Sequence, residues 1–204
     1  MNDRFSHYVE RAKSDLMMDV VAKDLGMYAG ETSNGCFWLS LAGALASSCW
    51  AVTSRHRAAL PSFEDAWRSA GTASSLDVRY SALGRFAVEL RKHMCSGDDA
   101  VMLKPHIQDS VYQAFAALGS SHTARTLESY KHWVARIAIN EFADELVVLA
   151  TAMELSVRIV VIPYTPAGQF PWHISRYPPE AIDVISNATI YLGNDDVHYS
   201  LPGK

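Results

Sequence analysis

The sequence predicts an α+β domain, and two observations carry that prediction. Apolar residues recur at helical spacing through the first two-thirds of the chain. The pattern then changes at Val157, where the β-branched run Val157-Arg158-Ile159-Val160-Val161-Ile162 opens a strand-rich tail. The expected architecture is a helix-rich N-terminal part and a small central β-sheet flanked by helices, with residues 1–204 as a single domain.

The elements follow in order. Asp3 to Leu25 carries Phe5, Tyr8, Val9, Leu16, Val20 and Val21 at helical spacing, and Gly26 and Gly30 then break it. Phe37 to Trp50 is apolar almost all round, which predicts a buried helix containing Cys49 in its packed interior. Ser62-Phe63-Glu64-Asp65 has the form of a capping box opening a short helix. Leu76 to Cys95, His106 to Leu118, Thr123 to Ile139 and Asp144 to Leu155 are further helices. Pro163, Pro166, Gly168 and Pro171 mark a loop with a short strand near Trp172. Thr189 to Leu192 and Val197 to Leu201 read as strands joined by a turn at Gly193-Asn194-Asp195-Asp196.

Composition narrows the function classes. The chain has 204 residues, 49% of them apolar, enough to bury a sizeable core. Eighteen basic residues face 22 acidic ones, a net charge of −4 that disfavours nucleic acid as a partner. The densest basic spot, Arg55-His56-Arg57, reads as a solvated loop. Three cysteines, at 36, 49 and 95, with no CxxC spacing, fit a reducing compartment and neither a disulfide framework nor a zinc finger. The opening MNDRFSHYVERAKSDL lacks a basic region followed by an apolar run, so no signal peptide is expected. No apolar run of about 18 residues predicts a membrane span. No HExxH, GxGxxG or GxxxxGK[ST] pattern is present. No metal and no cofactor are expected.

Two segments carry candidate chemistry. In Thr32-Ser33-Asn34-Gly35-Cys36-Phe37-Trp38-Leu39, a polar turn delivers the chain to a cysteine at the start of an apolar helix. The positive end of a helix dipole favours thiolate, which is the nucleophile. Backbone N–H groups of the Ser33-Asn34-Gly35 turn can converge on an oxyanion. By itself the segment also fits a cysteine that packs as a small hydrophobe. The second segment is Val197-His198-Tyr199-Ser200. Imidazole, with a pKa near 6.5, suits a base that activates a thiol. A histidine on a strand serves structure equally well.

Taken together, the segments resemble the ovarian-tumour (OTU) domain cysteine proteases. The family's nucleophile box, Asp-Gly-Asn-Cys followed by aromatic or leucine residues and a small apolar helix, is matched by Ser33-Asn34-Gly35-Cys36-Phe37-Trp38-Leu39-Ser40-Leu41-Ala42. Its middle block is matched by Phe142-Ala143-Asp144-Glu145-Leu146, the helix to Leu155 and the strand Val157 to Ile162. Its last block, a strand, a turn and His-aromatic, is matched by Ile190-Tyr191-Leu192 and His198-Tyr199. The blocks stand in the family's order between about Leu25 and Pro202.

The resemblance implies a papain-like OTU fold and a deubiquitinase. Such an enzyme cleaves the peptide or isopeptide bond after the C-terminal glycine of ubiquitin or a ubiquitin-like protein. Cys36 is then the nucleophile and His198 the base, with Ser33, Asn34 and Gly35 as the oxyanion loop. Two positions depart from the family. Ser33 stands where the family has Asp, and Ser200 stands where it often has Asn or Asp to orient the histidine. In a regular strand Asp196 would share the face of His198, which makes it a substitute candidate; Asp195 and Asp196 also fit a solvated turn. The partners implied are ubiquitin, ubiquitin-like proteins and ubiquitinated substrates, with no nucleic acid and no membrane insertion. The compartment implied is the cytoplasm, or a host's cytoplasm for a viral or bacterial effector. The same residues also suit an OTU-fold protease that processes a viral polyprotein, or a non-catalytic ubiquitin-binding module.

Overall fold

The computed structural model describes residues 35–71, 76–117, 126–139, 141–163, 174–179, 187–194 and 199–200. Among them lie seven α-helices: α1 (Cys36–Ala46), α2 (Ser54–Ala59), α3 (Phe63–Gly71), α4 (Leu76–Cys95), α5 (Pro105–Ala117), α6 (Leu127–Ile139) and α7 (Glu145–Leu155). A 3-10 turn, Val101–Leu103, joins α4 to α5. Four strands follow: β1 (Val157–Pro163), β2 (Ser175–Tyr177), β3 (Ala188–Asn194) and β4 (Tyr199–Ser200). The class is α+β, with the helices first and the sheet late. The expected helix over Asp3–Leu25 lies outside the described residues.

The sheet order is β2-β1-β3-β4. β1 and β3 run parallel, from Val157 opposite Ala188 to Pro163 opposite Asn194. β2 pairs antiparallel with β1, and β4 antiparallel with β3 through Gly193 opposite Ser200 and Asn194 opposite Tyr199. The hairpin is therefore present, but Gly193 and Asn194 belong to the strand and not to the turn. The extra pairing of these two residues with β4 extends β3 past the point where Gly and Asn would suggest a turn. The short strand expected near Trp172 begins at Ser175; Trp172 itself lies outside the described residues.

One core runs through α1, α3, α4, α5, α6 and α7 into β1 and β3. At its centre is α1, in which every residue from Phe37 to Ala46 is buried. Complete burial is what an all-apolar helix must find: α1 packs against α4 and α3 and against β3 and β4. Burying each of Phe37, Leu41 and Leu45 contributes about 1.5 to 3 kcal/mol.

The expected helix from Phe37 to Trp50 stops at Ala46, and Cys49 is exposed rather than packed inside it. The serines are the reason. Ser48 Oγ donates to Leu45 O at 3.0 Å and accepts from Trp50 N at 3.1 Å, so side chain replaces helical backbone pairing. The turn brings the Trp50 indole N–H to Leu155 O at 2.9 Å.

Ser62 precedes α3 as expected, but the reciprocal acid comes from elsewhere. Its N–H donates to Glu89 Oε2 at 2.8 Å and its hydroxyl donates to Glu89 Oε1, so α4 fills the role that the local motif gave to Asp65. Asp65 instead faces Arg68 and Arg85. Asp144 caps α7, its Oδ1 accepting from Leu146 N at 3.0 Å and Val147 N at 3.2 Å. Ser156, with φ 51°, ends that helix in the left-handed region and turns the chain into β1.

Tyr130 is fully buried, and its hydroxyl donates to Met102 O at 2.7 Å. It ties α6 to the 3-10 turn. Tyr130→Phe leaves that carbonyl buried without its donor, and the expected loss is about 1 to 2 kcal/mol in urea unfolding with an unchanged m-value. A variant as stable as the parent would show that this bond does not hold the two elements.

Candidate functional site around Cys36

Cys36 is the first residue of α1, and Gly35 is its N-cap. Gly35, lacking a side chain, makes no side-chain cap. The helix dipole places partial positive charge at this terminus, beside the sulfur. Cys36 is half-buried, while Phe37 and Trp38 behind it are closed off from solvent.

β4 lies against this first turn. The Phe37 and Tyr199 rings meet edge to face, centroids 5.1 Å apart, and Ser40 Oγ donates to Tyr199 O at 3.0 Å. These contacts anchor the strand segment that follows His198 in sequence to the cysteine's own helix. Because β4 pairs with Gly193 and Asn194, at the end of β3, Cys36 sits at the carboxyl end of the parallel strands. Crevices at the carboxyl ends of parallel strands are where open sheets place ligands.

The surroundings are polar and partly titratable. Burial pushes the Tyr199 hydroxyl well above its ordinary value, with the neighbouring Tyr177, Cys36 and Asp144 adding to the shift and an Asn194 hydrogen bond opposing it. Burial also raises Tyr177, to about 12, helped by Glu145, which accepts its hydroxyl. Both phenols are therefore neutral donors at physiological pH. Arg91 of α4 is 3% exposed and donates from Nε to Ile137 O at 2.7 Å.

The sequence-predicted residues are brought together only in part. Cys36 and Gly35 stand where expected, at the mouth of a buried helix. Ser200 lies in β4, opposite Gly193. Ser33, Asn34, Asp196 and His198 lie outside the described residues.

A second polar cluster went unread in the sequence. Glu154, near the end of α7, is 4% exposed. Arg55 of α2 donates to its Oε1, His93 Nε2 of α4 lies 3.2 Å from the same oxygen, and His106 Nε2 of α5 lies 3.4 Å from Oε2. His56 Nε2 lies 3.2 Å from the Glu154 carbonyl. A carboxylate only accepts, so both His93 and His106 present N–H here. The expected solvated loop at Arg55-His56-Arg57 is instead a helix whose His56 is 3% exposed, because Glu154 gives the segment a buried partner. No spacing in the sequence joins these residues; four elements supply them. The cluster sits beside the start of β1, at the opposite end of the parallel strands from Cys36. It is a clamp on α2, α4, α5 and α7 and not a part of the cysteine site.

Among the described residues, no three His, Cys, Asp or Glu side chains are placed to hold a metal ion, and no helix is long and apolar enough to cross a membrane. In comparisons with known proteins, no family model matches the chain and no curated protein matches it.

The Glu154 clamp makes a pH prediction. Burial would raise its carboxyl, but the hydrogen bond from His93 and the Arg55 charge outweigh it and bring the group from 4.5 down to about 2. A depressed carboxyl contributes stability that is complete above about pH 4.5 and lost as the pH falls towards 2. Glu154→Gln should cost on the order of 3 kcal/mol at pH 7 and flatten the acid limb between pH 5 and 2.5. Urea midpoints across that range read both; an equally steep acid limb in the variant would assign the acid sensitivity to other groups.

Proposed function

We propose that this chain is a cysteine hydrolase of OTU type, acting after the C-terminal glycine of ubiquitin or a ubiquitin-like protein. One observation carries the reading. A cysteine opens a buried helix, and the strand that follows the candidate base is fastened to that same helical turn. This arrangement suits a thiol nucleophile: a half-buried cysteine at the positive end of a helix with a rigid support behind it.

The roles follow from the chemistry. His198 takes the Cys36 thiol proton, and the sulfur attacks the glycine carbonyl carbon. Backbone N–H groups from Ser33 to Cys36 receive the developing oxyanion. The tetrahedral intermediate collapses to a thioester, and the amine leaves with the proton that His198 held. His198 then draws a proton from water, which attacks the thioester and frees the glycine carboxylate and the thiol. Asp196 or Ser200 orients the imidazole. Ser200 accepts a hydrogen bond but carries no charge to steady imidazolium, so Asp196 is the stronger assignment.

The decisive reagent is ubiquitin bearing a C-terminal electrophile. The folded chain should gain the mass of one ubiquitin, and Cys36→Ala should gain none. A folded parent that does not label, or a Cys36→Ala variant that labels equally, overturns the proposal. In a companion assay on a fluorogenic ubiquitin amide, His198→Ala should lower kcat/KM by at least about 100-fold, the lower range for general-base loss. Unchanged turnover would remove His198 from the mechanism.

A further inference from the structure

We propose that Ser40 is a positioning residue: its buried hydroxyl docks β4 on the Cys36 turn of α1 and so sets the reach between Cys36 and His198. The proposal rests on those two residues being nucleophile and base, and its test separates that reading from the role of Ser40.

Ser40 is the one hydroxyl-bearing residue of α1, and it is 5% exposed. In a helix so enclosed, alanine would pack at least as well and favours the helix more. A buried helical serine ordinarily turns its hydroxyl back on the carbonyl one turn earlier in its own helix. Ser40 instead reaches out of α1. Its Oγ donates to Tyr199 O at 3.0 Å, joining residues 159 positions apart in the chain.

β4 depends on that attachment. It is two residues long, and its ladder consists of Asn194 opposite Tyr199 and Gly193 opposite Ser200. A ladder this short, with a glycine in it, fixes position weakly. On the helix side the Phe37 and Tyr199 rings meet with centroids 5.1 Å apart and planes at 67°. A ring contact tolerates sliding, whereas a hydrogen bond demands one distance and direction. Ser40 therefore sets the register of β4 along α1.

That register bears on the chemistry through covalent geometry. Cys36 stands four residues before Ser40 on the same helix face, about 6 Å along the axis. His198 immediately precedes Tyr199, and consecutive Cα atoms lie about 3.8 Å apart. One hydrogen bond thus ties the nucleophile's helix face to the residue next to the base. A displacement of about 1 Å between reacting groups can cost on the order of 100-fold in rate. Ser200 stands where the family often has Asn or Asp to orient the imidazole, so more of the positioning falls to the anchorage of the strand.

The test is the rate of iodoacetamide alkylation at Cys36 against pH, read by peptide mass in the full chain carrying Cys49→Ser, with and without His198→Ala. An imidazolium held beside the sulfur keeps it thiolate below the ordinary thiol value of about 8.5. Ser40→Ala should slow alkylation roughly tenfold near the ordinary imidazole value of about 6.5 and move the profile towards that of His198→Ala. In chains that already carry His198→Ala it should change the rate by less than about twofold, since no base is left to misplace. Ser40→Thr keeps the hydroxyl and should follow the parent; it decides the matter if Ser40→Ala does not fold. A Ser40→Ala profile that superimposes on the parent while His198→Ala is slowed overturns the proposal and leaves the hydrolase reading standing. So does an equal slowing with and without His198, which would mean that Ser40 acts on the helix and not on the base, or a Ser40→Thr displaced as far as His198→Ala. A His198→Ala chain alkylated like the parent rejects the base itself, and the role of Ser40 falls with it.

Discussion

The structure depends on the burial of α1. A helix with no polar face has to be enclosed, and its ten residues from Phe37 to Ala46 are covered by helices on one side and by β3 and β4 on the other. Enclosure fixes direction as well as position. α1 runs from the carboxyl end of the parallel strands, where Phe37 meets Tyr199, towards their amino end, where Trp50 reaches Leu155. The same packing that stabilises the domain therefore delivers Cys36 to one rim of the sheet and closes everything behind it.

The two rims have opposite characters. At the amino end, Glu154 is saturated by Arg55, His93 and His106, and the result is a satisfied ionic clamp joining four helices. Such a cluster binds elements to each other and has little capacity left for a ligand. At the carboxyl end, Cys36 is half-buried at the start of α1, and the buried phenol ring of Tyr199 packs on the next residue, Phe37. The contrast supports placing the chemistry at Cys36 and the stability at Glu154.

Much of this was legible in the sequence, for physical reasons that differ by element. The helix to Cys95 was legible because its apolar period is long. The start of α7 was legible because Asp144 is a strong cap, and Val157 to Ile162 because a β-branched run fits a strand buried on both faces. The end of α1 was not legible: apolar character continues to Trp50, while the terminating bonds come from Ser48, a residue common inside helices too. Ser62 showed the start of α3 but hid that its acid partner is Glu89 on a different helix. Arg55, His56, His93, His106 and Glu154 are far apart in the chain and share no period, so only the folded structure joins them. For the site, the cysteine and its helix were readable from local pattern.

The central claim is that Cys36 forms a covalent thioester with the glycine carbonyl of ubiquitin or a relative. The most direct measurement is intact mass after rapid acid quench of the full chain turning over a ubiquitin C-terminal amide or a diubiquitin. The expected result is a transient adduct of one ubiquitin, mapped to Cys36 by peptide mass and released by neutral hydroxylamine. Turnover with no such adduct under conditions that slow deacylation, or an adduct on Cys49 or Cys95, would contradict it, as would a folded chain that cleaves none of these substrates.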